Sequence, residues 1–331
     1  MAITSDLVKR LATSVGFDLC GIARAEFVKV ADDNLREWLH RGFQADMDWM
    51  TRNADRRVDA SKLFDGAKSV IVLGLNYYQE NSPQIPPGQG RISRYARGRD
   101  YHKIIGKMMK QLSIGIESVV DQEAKRQDRP ILKQWVDYGP LLERPYAVKA
   151  GLGYIGRNSS LINKRFGSWT LLGEIVTSLD LEPDSSWPGE HGRCGTCRRC
   201  IDACPTGAIV EGGRTIDARK CLSYLTIEHR GEIPTEAARA MARGLFGCDI
   251  CQEVCPHNLE RQQVTSRVLL QNWAGVGEFV DCQQVLNVDD ASFLKLAAGT
   301  VLMRAKRHGL QRNARIVLAN LHSNVGSEEE D

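Results

Sequence analysis

The spacing of the cysteines constrains this chain more than any other feature of its sequence. Eight of the ten cysteines fall between residues 194 and 255, and the first four are Cys194, Cys197, Cys200 and Cys204, followed by Pro205. This C-x2-C-x2-C-x3-C-P pattern is typical of bacterial ferredoxins with two [4Fe–4S] clusters. Three closely spaced thiolates can bind three corners of one cluster. The fourth cysteine, turned away at the proline, can then reach the other cluster.

A second set of cysteines follows the same pattern with one position missing. Cys248, Cys251 and Cys255 match its last three positions, but Leu245 stands where the first cysteine would be. Cys221 is the one spare thiol nearby, so we assign it as the missing ligand. A structural zinc site is the alternative, but zinc sites rarely use this spacing. The predicted ligand sets are Cys194, Cys197, Cys200 and Cys255 for one cluster, and Cys204, Cys221, Cys248 and Cys251 for the other.

Two clusters with crossed ligands predict an electron-transfer protein. A carrier alone would need little more than the cysteine segment, whereas this chain has 331 residues. The excess favours a further domain that binds a substrate and consumes the electrons. The two isolated cysteines, Cys20 and Cys282, are expected to be buried as small apolar side chains.

The remaining sequence predicts an α+β protein with three parts. A mixed α/β domain is expected over residues 1–188, a double-cluster ferredoxin-like domain over 189–261, and a short helical segment over 262–331. Apolar runs predict buried strands at Ser69–Leu75 and Thr170–Thr177, and apolar residues at helical spacing predict a core-facing helix over His102–Val120. An amphipathic helix is expected near the N-terminus and a helix–turn–helix hairpin over Gly299–Leu321.

The charge of the chain is concentrated in two basic stretches. The net charge is only +3, but residues 91–110 hold seven bases against one acid, and residues 302–315 hold five bases and no acid. Such stretches could contact phosphates or simply form solvated helix faces. No apolar run approaches the roughly 18 residues that a membrane span needs, and the N-terminus lacks the pattern of an export signal. We therefore expect a cytoplasmic monomer that does not bind membranes.

Several motifs along the chain resemble the epoxyqueuosine reductase family. They occur in the family's order from about residue 40 to 320, so the resemblance covers most of the sequence. The motifs are Tyr95–Lys103 (YARGRDYHK), Val136–Tyr146 (VDYGPLLERPY), Ala150–Ser160 (AGLGYIGRNSS), Gly167–Thr177 (GSWTLLGEIVT), Cys194–Ile209 (CGTCRRCIDACPTGAI), Arg219–Gly231 (RKCLSYLTIEHRG) and Phe246–Pro256 (FGCDICQEVCP).

The resemblance implies a reaction, its cofactors and a set of site residues. It implies that residues 1–188 bind cobalamin beside one cluster, that residues 262–331 are HEAT-like, and that an external low-potential donor supplies electrons. The family reduces epoxyqueuosine to queuosine at the wobble position of tRNA anticodons, using two electrons and protons. The corrinoid signature D-x-H-x-x-G is absent, so no histidine is expected to coordinate cobalt. Candidate residues near the corrinoid or substrate are Arg57, Arg97, Asp137, Asn158, Ser159 and Ser223.

Asp137 matches the family's acid, which protonates the oxygen that leaves. An acid with this role must be protonated near neutral pH, so burial should raise the pKa of Asp137. A lone aspartate before a turn is more often a capping residue, and the sequence alone leaves that alternative open. Glu143 and Arg144 could hold the Asp137 loop through an ion pair or could be solvated.

Recognition of tRNA should depend on basic side chains that contact phosphates, with the modified base flipped into a pocket. The predicted contacts flank Cys221, although the same residues could merely neutralise the charge of a cluster. They are Arg219, Lys220, His229 and Arg230.

Two other functions are compatible with the cysteine pattern. One is a reductive dehalogenase-like corrinoid enzyme acting on a small molecule, which would use the same path for electrons. The other is a non-catalytic iron–sulfur carrier, which would contain two clusters and no cobalt. The basic stretches and the missing export signal favour the tRNA enzyme over the dehalogenase.

Overall fold

Helices and strands are mixed along the chain, as predicted. The computed structural model describes residues 3–123, 129–187, 194–259, 266–271 and 274–325. The strands are β1 Leu19–Arg24, β2 Ser69–Asn76, β3 Gln89–Ile92, β4 Leu132–Trp135, β5 Tyr154–Ile155, β6 Leu161–Ile162, β7 Thr170–Thr177, β8 Gly244–Phe246 and β9 Phe279–Asp281.

Most of the helices are short. They are α1 Ser5–Val15, α2 Lys29–His40, α3 Ala54–Arg57, α4 Tyr101–Glu123, α5 Glu143–Lys149, α6 Arg199–Asp202, α7 Leu222–Ile227, α8 Thr235–Ala240, α9 Ile250–Glu253, α10 Pro256–Leu259, α11 Arg267–Gln271, α12 Cys282–Leu286, α13 Asp290–Ala297 and α14 Lys306–Val325. Single 3-10 turns lie at Asp48–Met50, Ala60–Leu63, Arg94–Ala96 and Val301–Ala305. No helix among the described residues is both long and apolar enough to span a bilayer.

An antiparallel sheet of strand order β1-β2-β7-β4 forms the centre of the N-terminal part. Every residue of β2 is buried, because apolar cores lie on both faces of the sheet. Ile71 and Leu73 belong to the core on one face, and Val70 and Val72 belong to the core on the other. The two predicted strands are therefore confirmed.

Helix α4 covers one face of this sheet. Its side chains Ile105, Met109 and Leu112 are buried in the larger core, against which Leu11 of α1 also packs. The predicted core-facing helix is confirmed, and so is the amphipathic helix near the N-terminus, which Thr4 caps by accepting the N–H of Leu7 at 3.3 Å. The sheet and α4 together position the loops that follow β4 and β5.

A second sheet joins all three predicted parts of the chain. Strand β3 lies between β8, with which it is parallel, and β9, with which it is antiparallel. The larger apolar core likewise runs from Leu75 through Phe246 to Val285 and Leu310. The three parts thus share a sheet and a core. The predicted boundaries at 188–189 and 261–262 lie outside the described residues and stay predictions.

The predicted hairpin over Gly299–Leu321 is wrong. A 3-10 turn at Val301–Ala305 is followed by the single long helix α14, and Lys306 changes the chain direction between them with φ 62°. Apolar residues on both sides of that point imitate two paired helices, but they pack into the common core instead. Within α14, the buried Asn313 donates to the carbonyl oxygens of Thr226 at 2.8 Å and Leu245 at 3.0 Å, which ties this helix to the cysteine segment.

Candidate active site

The cysteines gather into two groups, and the first contains the ligands predicted for one cluster. Cys194 and Cys255 contact the same small apolar cluster, which also contains Tyr154. Burial, together with the negative charges of Cys194, Cys200 and Cys197, raises the pKa of the Cys255 thiol to about 11. These four thiols are therefore electrostatic neighbours although 61 positions separate the first from the last.

The second group contains the other predicted ligands. Cys221 and Cys248 pack against a different apolar cluster. Burial, together with the nearby Cys221 and Cys204, raises the pKa of Cys248 to about 12. Burial also raises the pKa of Cys251 well above its usual value, with Cys248, Cys221 and then Cys200 as its thiol neighbours. Cys251 thus lies on the side of its group that adjoins the first.

Four crowded thiolates repel one another, so each group needs a compensating positive charge. All eight cysteines are free thiols. The backbone N–H of Ala208 donates to Cys204 Sγ at 3.3 Å, a contact of the kind that stabilises a thiolate bound to iron. Four neighbouring thiols are the ligand set that a [4Fe–4S] cluster needs, and the assignment of each ligand stays a prediction.

The loop that carries Cys251 docks on the N-terminal part of the chain. Asn158 Nδ2 donates to the carbonyl oxygen of Cys251 at 3.4 Å, and the Tyr77 hydroxyl donates to Gln252 Oε1 at 3.2 Å. Asn258 lies so close to Gly167 that a Cβ there would come within 1.9 Å of Asn258 Oδ1, and Gly167 has φ 61°. The segment Cys251–Asn258 is thereby fixed against the end of β2 and the β5–β6 and β6–β7 connections.

Asp137 lies in the loop between β4 and α5, and we call the space beside its exposed side chain, bordered by Tyr101 and His102, the cleft. Its backbone has φ 59°, a left-handed conformation that Asp adopts more readily than most residues. The Tyr101 hydroxyl donates to Asp137 Oδ2 at 3.0 Å, and His102 Nε2 lies 3.4 Å from the same oxygen. The Asp137 side chain is 63% exposed, so a substrate could reach it.

The prediction that burial raises the pKa of Asp137 is wrong, because the pKa of this carboxyl group is lowered. The surrounding protein by itself would raise this pKa, but the bonds from His102 and Tyr101 lower it overall. For His102, burial by itself would lower the pKa, but the bonds to Asp100 and Asp137 raise it to about 9. His102 Nδ1 lies 2.7 Å from Asp100 Oδ1. At neutral pH the proton of this pair therefore lies on His102.

Glu143 and Arg144 do different things in the Asp137 loop. Glu143 Oε1 accepts the backbone N–H of Asp137 at 2.6 Å, whereas Arg144 donates to the carbonyl oxygen of Ser159. Glu143 thus holds the Asp137 loop through a hydrogen bond to the loop's backbone. This contact is neither the ion pair nor the solvated state that the sequence left open. Burial raises the pKa of Glu143 to about 7, and the nearby Asp137 contributes to the rise.

Three predicted cofactor or substrate residues lie around this cleft. Arg57 donates to the carbonyl oxygens of Trp49 at 2.6 Å and Gly139 at 3.5 Å, next to the Asp137 loop. Asn158 and Ser159 form the buried turn between β5 and β6. Ser159 Oγ and Arg57 Nε are buried and have no partner among the described residues, so a bound molecule could satisfy them.

The other two predicted residues have different surroundings. Arg97 is 1% exposed and donates to Ile92 O at 3.1 Å and to Asn81 at 2.5 Å, so its guanidinium braces the fold. Ser223 lies in the first turn of α7, two residues after Cys221, on the side of the second cysteine group.

A chain of aromatic rings connects Asp137 with the second cysteine group. The ring of Tyr101 lies 6.1 Å from that of Tyr95 in an edge-on arrangement, and the ring of Tyr95 lies 6.4 Å from that of Phe246. Phe246 is two residues before Cys248. The cleft and the cysteine group are therefore separated by little more than these rings.

Most of the predicted tRNA contacts already have partners within the protein. Arg219 pairs with Asp217 at 2.8 Å and His229 with Asp46 at 3.1 Å. Arg230 donates to three backbone carbonyl groups, including that of Arg304 at 2.8 Å. Lys220 is exposed and, unlike the other three, has no ion pair or side-chain hydrogen bond among the described residues.

Exposed groups at the rim of the cleft were not predicted individually. Tyr138 is 72% exposed beside Asp137, and Trp49 is 37% exposed. The Arg304 guanidinium lies 4.9 Å from the centre of the Trp49 ring and pairs with Glu228 at 2.7 Å. The sequence indicated Arg304 only as one member of the basic stretch 302–315.

Sequence reasoning also missed two residues within the site. His102 stands in the motif Tyr95–Lys103, where its neighbour Asp100 was the available signal. Glu174 is buried in β7 beside Glu143, and the mainly apolar pattern of that strand predicted burial without indicating a role for the carboxyl group. Side-chain contacts between distant segments identify both.

Comparison with known proteins agrees with the motifs. A family model described as "Epoxyqueuosine reductase QueG, DUF1730" matches residues 57–129, and one described as "4Fe-4S double cluster binding domain" matches residues 193–258. An epoxyqueuosine reductase from Gloeobacter violaceus is 40% identical over 331 residues, covering 96% of this chain and 97% of that protein.

Solved structures share the fold. The crystal structure of an epoxyqueuosine reductase with an epoxyqueuosine-modified tRNA-Tyr stem loop is 26% identical with a TM-score of 0.83, covering 95% of this chain and 80% of that one. The Bacillus subtilis epoxyqueuosine reductase, described with its catalytic aspartate loop swung out of the active site, is 25% identical with a TM-score of 0.80, covering 95% and 81%. The two cysteine groups, the Asp137 cleft and this similarity over nearly the whole chain lead to one conclusion: the protein belongs to the epoxyqueuosine reductase family.

Proposed function

We propose that this protein reduces epoxyqueuosine to queuosine at the wobble position of tRNA anticodons. The observation that carries the proposal is the closeness of the accessible Asp137 carboxylate to the second cysteine group, across the rings of Tyr101 and Tyr95. An epoxide that loses its oxygen as water needs two electrons at carbon and two protons at oxygen. This cleft offers a proton on one side and an electron path on the other.

The cofactors in the proposal are two [4Fe–4S] clusters and cobalamin. Asn158, Ser159 and Arg57 would hold the corrinoid, and the unpartnered Ser159 Oγ and Arg57 Nε support this. Bound cobalamin would supply a reduced cobalt centre that can attack carbon. Arg97 and Ser223, also expected from the resemblance, have weaker support because Arg97 is engaged inside the fold. The absence of the D-x-H-x-x-G signature predicts that no histidine binds cobalt, and His102 in particular is held by Asp100 and Asp137.

The residues of the cleft would manage the proton. His102 holds a proton beside Asp137 Oδ2, and Tyr101 fixes the orientation of the carboxylate. When charge develops on the substrate oxygen, the proton held by His102 would pass to Asp137 Oδ2 and from Asp137 to that oxygen. This arrangement differs from a permanently neutral aspartic acid, yet it keeps an acid available at neutral pH.

The tRNA would approach over the rim formed by Tyr138, Trp49 and Arg304. Exposed aromatic rings can stack on unpaired bases, and an accessible arginine can contact phosphates. The solved relative with a bound tRNA stem loop supports this class of substrate. Of the contacts expected near Cys221, Lys220 is exposed and has no ion pair among the described residues, whereas Arg219, His229 and Arg230, like Arg304, have partners that a phosphate would have to displace.

Further parts of the proposal rest on the family alone. Residues 1–188 would form the cobalamin-binding domain and residues 262–331 a short HEAT-like segment. The protein would act as a cytoplasmic monomer that receives electrons from an external low-potential donor. The comparisons favour this function over a small-molecule dehalogenase or an iron–sulfur carrier.

The test is conversion of modified tRNA by the anaerobically purified protein. Given cobalamin, a low-potential reductant and tRNA bearing epoxyqueuosine, the protein should yield queuosine, detected by mass spectrometry of the nucleosides. An optical spectrum of the same sample should contain iron–sulfur and corrinoid absorption. A protein with both clusters that neither binds the corrinoid nor converts the tRNA would be a carrier, and the proposal would be wrong.

A further inference from the structure

Glu174 is an unusual residue to find in the middle of a sheet. It lies in β7, paired with Val72 of β2 on one side and with Trp135 of β4 on the other, and it is 1% exposed. Neither of its carboxyl oxygens has a hydrogen-bond donor among the described residues. An ionised carboxylate without a partner is very costly in such a place. Burial accordingly raises the pKa of Glu174 well above its usual value, and the nearby Glu143 raises it further.

The neighbour of Glu174 is the carboxyl group that holds the Asp137 loop. Glu143 begins α5, and its side chain lies within hydrogen-bonding reach of Glu174. Two ionised carboxylates cannot bond to each other, whereas one proton between them makes the contact an O–H···O bond. Glu143 Oε1 then stays in place to accept the backbone N–H of Asp137 at 2.6 Å.

Asp137 needs such an anchor. A non-glycine residue with φ 59° is strained by about 1 kcal/mol or more, and its loop is open to solvent. Other charged or titratable groups also face this region. Tyr101 and His102 approach from α4, Arg144 lies on α5, and Arg57 reaches the Gly139 carbonyl from α3. The hydrogen bond from the Asp137 backbone to Glu143 differs from these contacts. Its acceptor, the Glu143 side chain, is itself in contact with Glu174 of the central sheet.

We propose that Glu143 and Glu174 share a proton, and that this carboxyl pair positions the Asp137 loop for proton transfer. Glu143 is then a positioning residue. Glu174 is the buried carboxyl group that shares the proton, and the shared proton removes the repulsion between the two side chains. The role assigned to Asp137 rests on the function proposed above, whereas the shared proton does not. The pair explains why an acidic residue occupies an otherwise apolar strand.

The first experiment detects the proton without using the substrate. At pH 8 ordinary carboxyl groups are ionised, so infrared spectra of the purified protein should show a protonated-carboxyl C=O band from this pair. The band should disappear in E174Q, because the amide introduced in place of the Glu174 carboxyl can donate to an ionised Glu143. It should persist in the control E236Q, since Glu236 is exposed on α8. Absence of the band from the unaltered protein would overturn the proposal.

The second experiment measures positioning. In E143A, kcat should fall about 10–100-fold while KM for the modified tRNA and the iron content stay unchanged. E143Q should recover most of the loss, because an amide oxygen can still accept the Asp137 N–H. An E143A variant with the kcat of the unaltered protein would overturn the positioning role. If the unaltered protein has no activity on this tRNA, the infrared result still decides whether the pair shares a proton.

Discussion

At the scale of single residues, the site depends on which carboxyl group holds a proton. Asp137 shares its environment with a histidine, and Glu143 shares its environment with a second glutamate. Both arrangements store a proton near neutral pH, but only the first lies at the accessible face of the cleft. A replacement that keeps the shape of the side chain but removes its titratable group therefore distinguishes a role in proton transfer from a role in the fold.

The replacement D137N tests the role of the accessible carboxylate. Asn tolerates the left-handed backbone at this position about as well as Asp, so the loop should keep its conformation. We expect kcat to fall about 10²–10⁴-fold with the clusters and cobalamin retained, since general acid catalysis has that magnitude. Nucleoside mass spectrometry measures the rate, and D290N, in which the replaced side chain is 86% exposed, is the control. Full activity of D137N would remove Asp137 from the acid role.

The replacement H102N tests the histidine that holds the proton. The pKa of His102 is raised to about 9 from the usual 6.5, so its charge stabilises the folded protein fully below pH 6.5 and is lost as the pH rises through about 9. We expect H102N to lower stability by about 1–3 kcal/mol at pH 6, because the exposed partner Asp137 weakens the pair, and to change it little at pH 10. Thermal unfolding at both pH values measures this difference. Equal losses at pH 6 and pH 10 would contradict a charged His102.

At the scale of elements, short loops carry the chemistry and the central sheet holds them. The β5–β6 turn touches the Cys251 loop through Asn158, and the Arg144 side chain of α5 touches the same turn at Ser159. Gly151 and Gly153 precede β5 and Gly156 begins this turn; a Cβ on Gly153 would lie 2.3 Å from the Ile162 carbonyl oxygen. Close approach of the backbone therefore requires glycine at this position.

The replacement C221A tests the assignment of the ligand that the second pattern lacks. We expect the protein to lose about four iron atoms, because a [4Fe–4S] cluster with three ligands is labile when buried loops must also close around it. The matched control is C20A, since Cys20 is a free thiol outside both groups. Iron analysis and the optical spectrum measure the loss. A C221A protein with its full iron content would show that another residue completes the second set.

At the scale of the whole molecule, distant basic residues divide into structural and accessible groups. In the stretch 91–110, Arg94 and Arg97 are buried inside the fold. In the stretch 302–315, Arg312 is buried among backbone carbonyl groups, whereas Arg304 is 52% exposed at the rim of the cleft. A basic stretch in the sequence is thus not one surface, and only its exposed members can meet tRNA.

The replacement R304Q tests the rim. We expect weaker binding of the anticodon stem loop, and a plot of log K against log salt with a slope smaller by about 0.7–0.9, because one phosphate contact is lost. The control is R307Q in the same stretch, because Arg307 is likewise paired with an acid, Asp290 at 2.6 Å, but its side chain is only 25% exposed. Binding isotherms at several salt concentrations measure both variants. Identical slopes for R304Q and the unaltered protein would place the tRNA elsewhere.

Some features of this protein are determined by its sequence alone. Cysteine spacing is local, so it predicts a double-cluster segment, which the matching family model confirms. The strand Thr170–Thr177 and the helix that begins near His102 also follow from local apolar patterns, and the structure has both. The order of the motifs likewise indicates the family without any knowledge of the fold.

Other features were decided only by the tertiary structure. The apolar pattern of residues 299–321 predicted paired helices, but a common core offered a better burial site and left one helix, α14. The pKa of Asp137 was expected to rise, but His102 and Tyr101 reach it from another element and lower it. The role of Glu174 depends on its contact with Glu143, which lies 31 positions earlier in the chain. Local spacing encodes ligands and elements, whereas charge and burial depend on neighbours that folding brings together.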